Sequence, residues 1–198
     1  MSITYRIGDL LEQKDINAIA HVVNIYHTWG SGIVIPIKKR YQEAYLADLE
    51  TKYADSNKLG TFSLGESKDF KVYNLYAMKG LGTDIRQLDY EAFYQCLEKM
   101  NADIHTLQDQ WDVRIKLGIP YNIGCDRAKG SWRIIQAMLE DVFGQSPEVS
   151  VVICALPQFA VEAIKLYNIQ FESINEYKSP VPFEFSSRPC QLNIPVRS

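Results

Sequence analysis

The sequence predicts an α/β fold with a mixed, largely parallel central sheet and helices on its faces. A continuous apolar run at residues 18–23 and largely apolar runs at residues 114–120 and 149–156 are typical of strands that are buried on both faces of a sheet. Longer amphipathic segments separate these runs, and strands that alternate with helices favour parallel pairing. The 198 residues are enough for one well-packed domain.

The individual elements follow from local patterns of apolar residues. Besides the three apolar runs, strands are predicted at residues 3–7, 61–67 and 70–78. An amphipathic helix is predicted over residues 38–53, with a possible start near Ile33, and Tyr41, Tyr45, Leu49 and Tyr53 are spaced by four on one side of it. Further helices are predicted at about 88–107, 132–143 with Ser131 as the N-cap, and 159–166, followed by a short strand at about 168–173.

Composition and charge exclude several classes of protein. With 46% hydrophobic and 23% charged residues, the chain resembles an ordinary soluble globular protein. Its net charge of −3 gives no electrostatic case for a nucleic-acid or anionic-membrane partner. No apolar run has the roughly 20 residues of a membrane span, and the N-terminus has no secretory pattern. We therefore expect a cytoplasmic protein without nucleic-acid or membrane partners, and its oligomeric state stays open.

The cysteines are spread singly along the chain, at Cys96, Cys125, Cys154 and Cys190. They show neither paired nor zinc-type spacing, so we expect free thiols, no metal site and no cofactor. No GxGxxG motif follows a strand, which argues against a dinucleotide oxidoreductase.

Two glycine-containing loops are the strongest functional signal. Residues 24–34 (NIYHTWGSGIV) follow one predicted strand, and residues 121–131 (YNIGCDRAKGS) follow another. Glycines tolerate unusual backbone angles where a ligand approaches the main chain, and free N–H groups at a helix start favour an anion. Ligands of α/β folds bind outside the carboxyl ends of the strands. Both loops should therefore lie at that edge, and we expect them to bind a small phosphate-bearing molecule.

These residues resemble the macrodomain family, which binds ADP-ribose and its derivatives. The order and spacing of the motifs are similar to the branch that includes ADP-ribose-1″-phosphate phosphatases and small phage and bacterial macrodomains. The matching stretches lie between residues 3 and 156: GDL at 8–10, HVVN at 21–24, WGSGI at 29–33, KKRY at 38–41 with Tyr45, LG at 59–60, YNL at 73–75, DY at 89–90 and IPYNIGCDRAKGSW at 119–132.

The resemblance implies a three-layer α/β/α macrodomain over residues 1–157. Residues 158–198 are then a C-terminal extension packed on that domain, formed by a short helix and strand and a proline-rich tail. In the family, Asp9 would accept the adenine amine beside Ile7 and Gly8, and Asn24 would position the distal ribose. From the residues alone, a turn aspartate and a turn-capping asparagine are the alternatives.

Further ligand contacts are implied for both loops. In the first loop, Trp29 would form a wall, unless it packs in the core, and the distal phosphate and ribose would lie on Gly30, Ser31, Gly32 and Ile33. The second loop would bind the diphosphate through Ile123, Gly124, Cys125, Asp126, Arg127, Ala128, Lys129 and Gly130. Cys125 is expected to be a small buried residue rather than a nucleophile.

The second loop also departs from the family pattern. Asp126 stands where a glycine is common. A de-ADP-ribosylating branch uses a lysine similar to Lys79 together with an aspartate, and Ala128 stands at the aspartate's place.

Two functions are compatible with these residues. The first is a hydrolase that removes a 1″-phosphate or an ester-linked group from the distal ribose of an ADP-ribose derivative. Its catalytic candidates are Asn24, which would position the ribose, and His27, Asp84 or Asp126, which would activate a water. The alternative is a non-catalytic module that reads or sequesters ADP-ribose or a related NAD-derived nucleotide. His21 lies within an apolar strand and is expected to be a core histidine.

Overall fold

The computed structural model describes residues 3–111, 114–144 and 149–172 of the chain. In this part the strands form a six-stranded sheet in the order β1-β6-β5-β2-β4-β3. Only the β3–β4 pair is antiparallel, and the other described pairs are parallel. The strands are β1 (Ile3–Ile7), β2 (Ala18–Asn24), β3 (Phe62–Glu66), β4 (Lys71–Met78), β5 (Lys116–Pro120) and β6 (Ser150–Ala155). The predicted α/β class with a mixed, largely parallel sheet is confirmed.

Helices cover both faces of this sheet and complete three layers. They are α1 (Val34–Arg40), α2 (Gln42–Leu49), α3 (Tyr90–Trp111), α4 (Trp132–Phe143) and α5 (Pro157–Tyr167), with short 3-10 turns at Leu10–Glu12 and Ser56–Lys58. On one face, Phe93 and Leu97 of α3 and Ile135 of α4 are fully buried against the sheet. On the other face, Ile37 of α1 packs against Ile19 of β2. Within the described ranges, no helix is both long and apolar enough to span a membrane.

The predicted helix over residues 38–53 is wrong in its continuity, and only part of its predicted stripe packs on the core: Tyr41 and Tyr45 are partly buried against it. The chain leaves the helical conformation at Tyr41 (φ −129°, ψ 76°), which divides it into α1 and α2. Leu49 and Tyr53 of the expected stripe are 43% and 64% exposed, whereas Ala44 and Asp48 are buried. The reason is a close approach of β3: a Cβ on Gly65 would lie 2.4 Å from the Ala44 backbone. Only a small side chain fits between helix and sheet at that distance, so Ala44 rather than a larger residue occupies this contact.

The predicted strand at residues 168–173 is also wrong over its described part. Asn168 takes a left-handed conformation (φ 52°, ψ 37°) that ends α5, and Ile169 is buried in the core. Phe171 packs edge-on against Tyr5, and the N–H of Glu172 donates to the carbonyl of Tyr5 at 2.8 Å. Side-chain packing rather than a hydrogen-bonded ladder therefore accounts for the apolar residues here. The tail from residue 173 lies outside the described residues, and the domain boundary at 157 stays a prediction.

Candidate ligand-binding cleft

A cleft of about 1000 Å³ opens at the carboxyl edge of the sheet. Strands β1, β6, β5 and β2 are neighbours and run parallel, so the loops that follow them meet at this edge. Most of the predicted ligand-binding residues line the cleft together: Gly8, Asp9, Asn24, Ser31, Gly32, Ile33, Ile123, Gly124, Cys125, Asp126, Arg127, Ala128 and Gly130. The structure thus brings together residues that are far apart in sequence.

The first glycine loop, residues 24–33, is braced by its own asparagine. Asn24 Oδ1 accepts hydrogen bonds from the N–H groups of Tyr26 (2.8 Å) and Thr28 (3.3 Å), and Nδ2 donates to the Thr28 carbonyl (3.1 Å). Both lone pairs of the amide oxygen are therefore engaged, and one N–H remains to meet a ligand. The turn-capping alternative describes this side chain, although the residue also lines the cleft.

The second half of the first loop has bare backbone, and its residues Ser31, Gly32 and Ile33 line the cleft. A Cβ at Gly30 or Gly32 would meet no described atom within 4 Å, and Gly32 has a left-handed φ of +71°. The N–H groups of residues 30–33 have no hydrogen-bond partner among the described residues. Successive unpaired N–H groups of this kind form an anion-binding concavity.

The second glycine loop, residues 121–131, is held from behind by close packing. A Cβ on Gly130 would lie 2.5 Å from Leu88 Cδ2 and 2.7 Å from the carbonyl oxygen of Gly124. The N–H groups of Gln87 and Leu88 both donate to the carbonyl of Ala128, at 3.0 and 3.1 Å. Glycine is required here because another segment of backbone lies against the loop.

Comparison with known proteins identifies one curated relative. The uncharacterised 17.5 kDa protein in the tk–vs intergenic region of Enterobacteria phage T4 is 30% identical over 161 residues. The match covers 77% of this chain and 96% of the phage protein, so both belong to one family. No protein-family model matches the chain.

Solved structures identify the fold. The macrodomain of Mycobacterium tuberculosis DarG superposes with a TM-score of 0.61 at 23% identity, over 77% of this chain and 96% of that one. The chain is a macrodomain in fold. A Bacteroides thetaiotaomicron protein of unknown function has a TM-score of 0.67 at 22% identity, over 79% of this chain and 99% of that one. Thermosipho africanus DarTG, solved in complex with ADP-ribose, has a TM-score of 0.60 at 13% identity, over 79% of this chain and 42% of that one.

Several predicted site residues lie away from the cleft of this macrodomain. Trp29 does not form a wall: it is buried, and its indole N–H donates to Asp48 Oδ2 at 2.7 Å, because the ring turns toward α2. Ile7, Gly30 and Lys129 are likewise not among the described residues that line the cleft.

Two of the proposed water-activating groups are also displaced. His27 Nε2 lies 3.0 Å from both Thr51 Oγ1 and Lys58 Nζ, behind the first loop. Burial and the Lys58 charge hold the pKa of His27 below its usual value, and Asp48 opposes this. Asp84 is exposed on the loop of residues 79–89, where its carbonyl accepts a hydrogen bond from Lys129 (3.3 Å). Neither His27 nor Asp84 is among the described residues that line the cleft, whereas Asp126 is.

Lys79, which corresponds to the lysine of the de-ADP-ribosylating branch, forms an ion pair outside the cleft. Its ammonium lies 2.7 Å from Asp89 Oδ2, its side chain is exposed, and it is not one of the described residues of the cleft lining. Lys79 and Ala128 therefore do not form the lysine–aspartate pair of the de-ADP-ribosylating branch.

Sequence reasoning missed part of the cleft wall. Met78, Tyr121 and Trp132 line it, and so do Phe159, Glu162 and Tyr167 of α5. Trp132 is almost fully buried, and its Nε1 has no hydrogen-bond partner among the described residues. Trp132 was visible in the motif at 119–132, but α5 lies beyond the residues that carry the family resemblance, so no signal identified it.

His21 is a buried histidine of the core, as the sequence predicted. His21 is fully buried, and its Nε2 lies 2.7 Å from Asn74 Oδ1. Because Asn74 Nδ2 donates to the carbonyl of Ala44, its Oδ1 is the acceptor and His21 Nε2 is the donor. Burial lowers the pKa of His21 to about 4, so it is a neutral core histidine.

Within the part of the chain that the structure describes, which leaves out Cys190, the thiols and the acidic groups offer neither a nucleophile nor a metal centre. Burial and the nearby Glu162 raise the pKa of the Cys125 thiol to about 12, so it stays protonated at neutral pH. Cys96, Cys125 and Cys154 are free thiols. Among the described residues, no group of three or more His, Cys, Asp or Glu side chains lies close enough together to hold a metal ion.

Proposed function

We propose that this macrodomain binds ADP-ribose or a derivative of it. The observation that carries the proposal is the convergence of the two glycine loops, which follow β2 and β5, on one cleft at the carboxyl edge of the sheet. The ADP-ribose complex of DarTG, which shares this fold, supports the choice of ligand.

The diphosphate and distal ribose would lie between the two loops. On one side, the unpaired N–H groups of residues 30–33 point to an anion or to ribose oxygens. On the other side, α4 begins at the cleft with Ser131 as its N-cap, and the Ser131 side chain makes no capping hydrogen bond within the described chain. The N–H groups of its first turn therefore favour a phosphate, and the Arg127 guanidinium, which also lines the cleft, adds positive charge.

The adenine would lie at the end of β1. Asp9 Oδ1 accepts the N–H of Leu11 at 2.9 Å, which leaves Oδ2 for the exocyclic amine. Pairing of Ile7 with Ala155 places Asp9 beside the start of α5, where Phe159 is 39% exposed in the first turn. A planar base can stack on this ring while its amine donates to Asp9.

The geometry favours binding over hydrolysis. Of the catalytic candidates, His27 and Asp84 lie outside the described cleft lining, and the amide oxygen of Asn24 already accepts two hydrogen bonds. One observation keeps hydrolysis as the second candidate: Asp126 lines the cleft, and a carboxylate there can activate a water that attacks a group on the distal ribose.

Calorimetry with ADP-ribose, followed by phosphate release from ADP-ribose-1″-phosphate, separates these functions. Tight binding without turnover supports a binding module. Turnover that disappears in Asp126→Asn, with ADP-ribose affinity retained, supports the hydrolase. A chain that binds neither compound rejects the nucleotide site.

The role of the first loop has its own test in Gly32→Glu. A carboxylate at Gly32 would face the bound phosphate, and like-charge contact costs several kcal/mol, so we expect at least about 100-fold weaker binding. Gly82→Glu is the matched control, because Gly82 also has a positive φ (+103°) and open space but does not belong to the described cleft lining. We expect Gly82→Glu to bind normally. Equal affinities in the two variants would reject the role assigned to residues 30–33.

A further inference from the structure

A buried carboxylate connects helix α2 to the first glycine loop. Asp48 is fully buried, and its Oδ2 accepts the indole N–H of Trp29 at 2.7 Å. Its Oδ1 accepts the hydroxyl of Tyr76, on β4, also at 2.7 Å. Trp29 immediately precedes Gly30, so the carboxylate holds the residue next to the bare backbone of the loop.

The charge of this carboxylate is compensated locally. Lys58 is also buried, and its ammonium lies 3.9 Å from Asp48 Oδ1 and donates to Thr51 Oγ1 at 2.8 Å. A buried charge is tolerated only with such partners, because it has lost its hydration. Asp48, Lys58, Thr51, Tyr76 and Trp29 therefore form one polar cluster behind the loop, which we call the Asp48 cluster.

The loop depends on this anchor because its second half has few other contacts. Asn24 braces the first half through Tyr26 and Thr28, whereas Gly30 and Gly32 meet no described atom at the position of a Cβ. The Trp29 ring packs edge-on against the rings of His21 and Tyr45, with ring centroids 5.1 Å and 5.5 Å apart. Such ring contacts tolerate sliding, so the directional hydrogen bond to Asp48 determines where the indole, and hence the next backbone unit, lies.

We propose that Asp48 is a positioning residue for the distal end of the ligand, acting through Trp29. This inference rests on the proposed function, in which residues 30–33 contact the distal phosphate and ribose. A displaced loop would then weaken ADP-ribose, which reaches these residues, but not AMP, which lacks both groups. The ratio of the two affinities is therefore a measure that a purely stabilising role would leave unchanged.

Trp29→Phe tests the anchor because it removes the N–H and keeps an aromatic ring. The matched control is Tyr73→Phe, which removes a similar hydrogen bond to a carboxylate (Tyr73 to Asp103, 2.8 Å) on the opposite face of β4. We expect Trp29→Phe to bind ADP-ribose about 10-fold or more weakly while its AMP affinity stays unchanged, since a misplacement of about 1 Å can weaken an interaction this much. Tyr73→Phe should change neither affinity.

A second variant approaches the anchor from the other partner. The double substitution Asp48→Leu with Lys58→Met removes both buried charges together with the acceptor of the Trp29 N–H. Replacing both ions by apolar groups avoids the single buried, unpaired charge that either substitution alone would leave. It should show the same selective loss of ADP-ribose affinity as Trp29→Phe. Wild-type selectivity in both variants would overturn the inference and leave the proposed function standing. A wild-type chain that binds AMP and ADP-ribose equally would overturn the positioning role alone, and one that binds neither would overturn the proposed function together with it.

Discussion

Gly30 and Gly32 form a matched pair that isolates backbone strain in the first loop. Both face open space among the described residues, but only Gly32 has a positive φ (+71°). An alanine at either site adds one methyl group and removes the same freedom from the unfolded chain, so these effects cancel between the two variants. The remaining difference is the cost of an L-residue in the left-handed region, about 1–2 kcal/mol. Gly32→Ala should therefore be less stable than Gly30→Ala by that amount.

Denaturant unfolding of the full chain measures this difference. With unchanged slopes, the shift of the midpoint reports the change in the free energy of unfolding. For a chain of this size the melting temperatures should differ by about 2–8 °C. Gly30→Ala itself should match the wild type or exceed it slightly, because its φ is not positive. Two variants of equal stability would refute a left-handed Gly32.

Two further predictions concern the second loop and the core histidine. Gly130→Ala places a methyl group 2.5 Å from Leu88 Cδ2 and 2.7 Å from a backbone oxygen. The same unfolding assay should therefore show a free energy of unfolding that is about 1–3 kcal/mol lower. Wild-type stability of this variant would contradict the close packing. Burial lowers the pKa of His21 from 6.5 to about 4. Between pH 6.5 and pH 4 the unfolded chain therefore binds a proton that the folded chain does not, and the free energy of unfolding decreases as the pH is lowered. The loss should be about 3 kcal/mol of unfolding free energy between pH 7 and pH 4. A His21→Gln variant, whose amide can still donate to Asn74, should lack this part of the pH dependence of stability. The same pH dependence in wild type and variant would contradict a buried, neutral His21.

Local patterns identified the elements whose environment is uniform. Strand β2 is buried on both faces, and its apolar run reports that directly. Helix α4 is similarly clear, because Ile135 and Leu139 recur at helical spacing on its buried side. Most glycines of the two loops can also be identified from the sequence, since a positive φ at Gly32 and Gly124 and close packing at Gly130 restrict those positions to glycine.

Helix α2 shows why other predictions failed. Its fully buried residues are Ala44 and Asp48, while Tyr45 is only partly buried, because β3 approaches at Gly65 and because Trp29 and Tyr76 both donate to Asp48. Trp29 and Tyr76 lie 19 and 28 positions away from Asp48 in sequence. A hydrophobicity pattern treats a buried aspartate as exposed, so it could not identify Asp48 as part of the buried side of the helix.

The sequence by itself determined the α/β class, the six strands of the described sheet, and the presence of two glycine loops at the ends of β2 and β5. These follow from side-chain periodicity and backbone restriction, which act over a few residues. Only the tertiary structure decided which loop residues reach the cleft. In the folded chain Asp126 and Phe159 of α5 line the cleft, whereas His27 and Trp29 contact the Asp48 cluster. Such outcomes depend on hydrogen bonds and packing between distant segments, because each buried polar group must find its partner wherever the fold provides one.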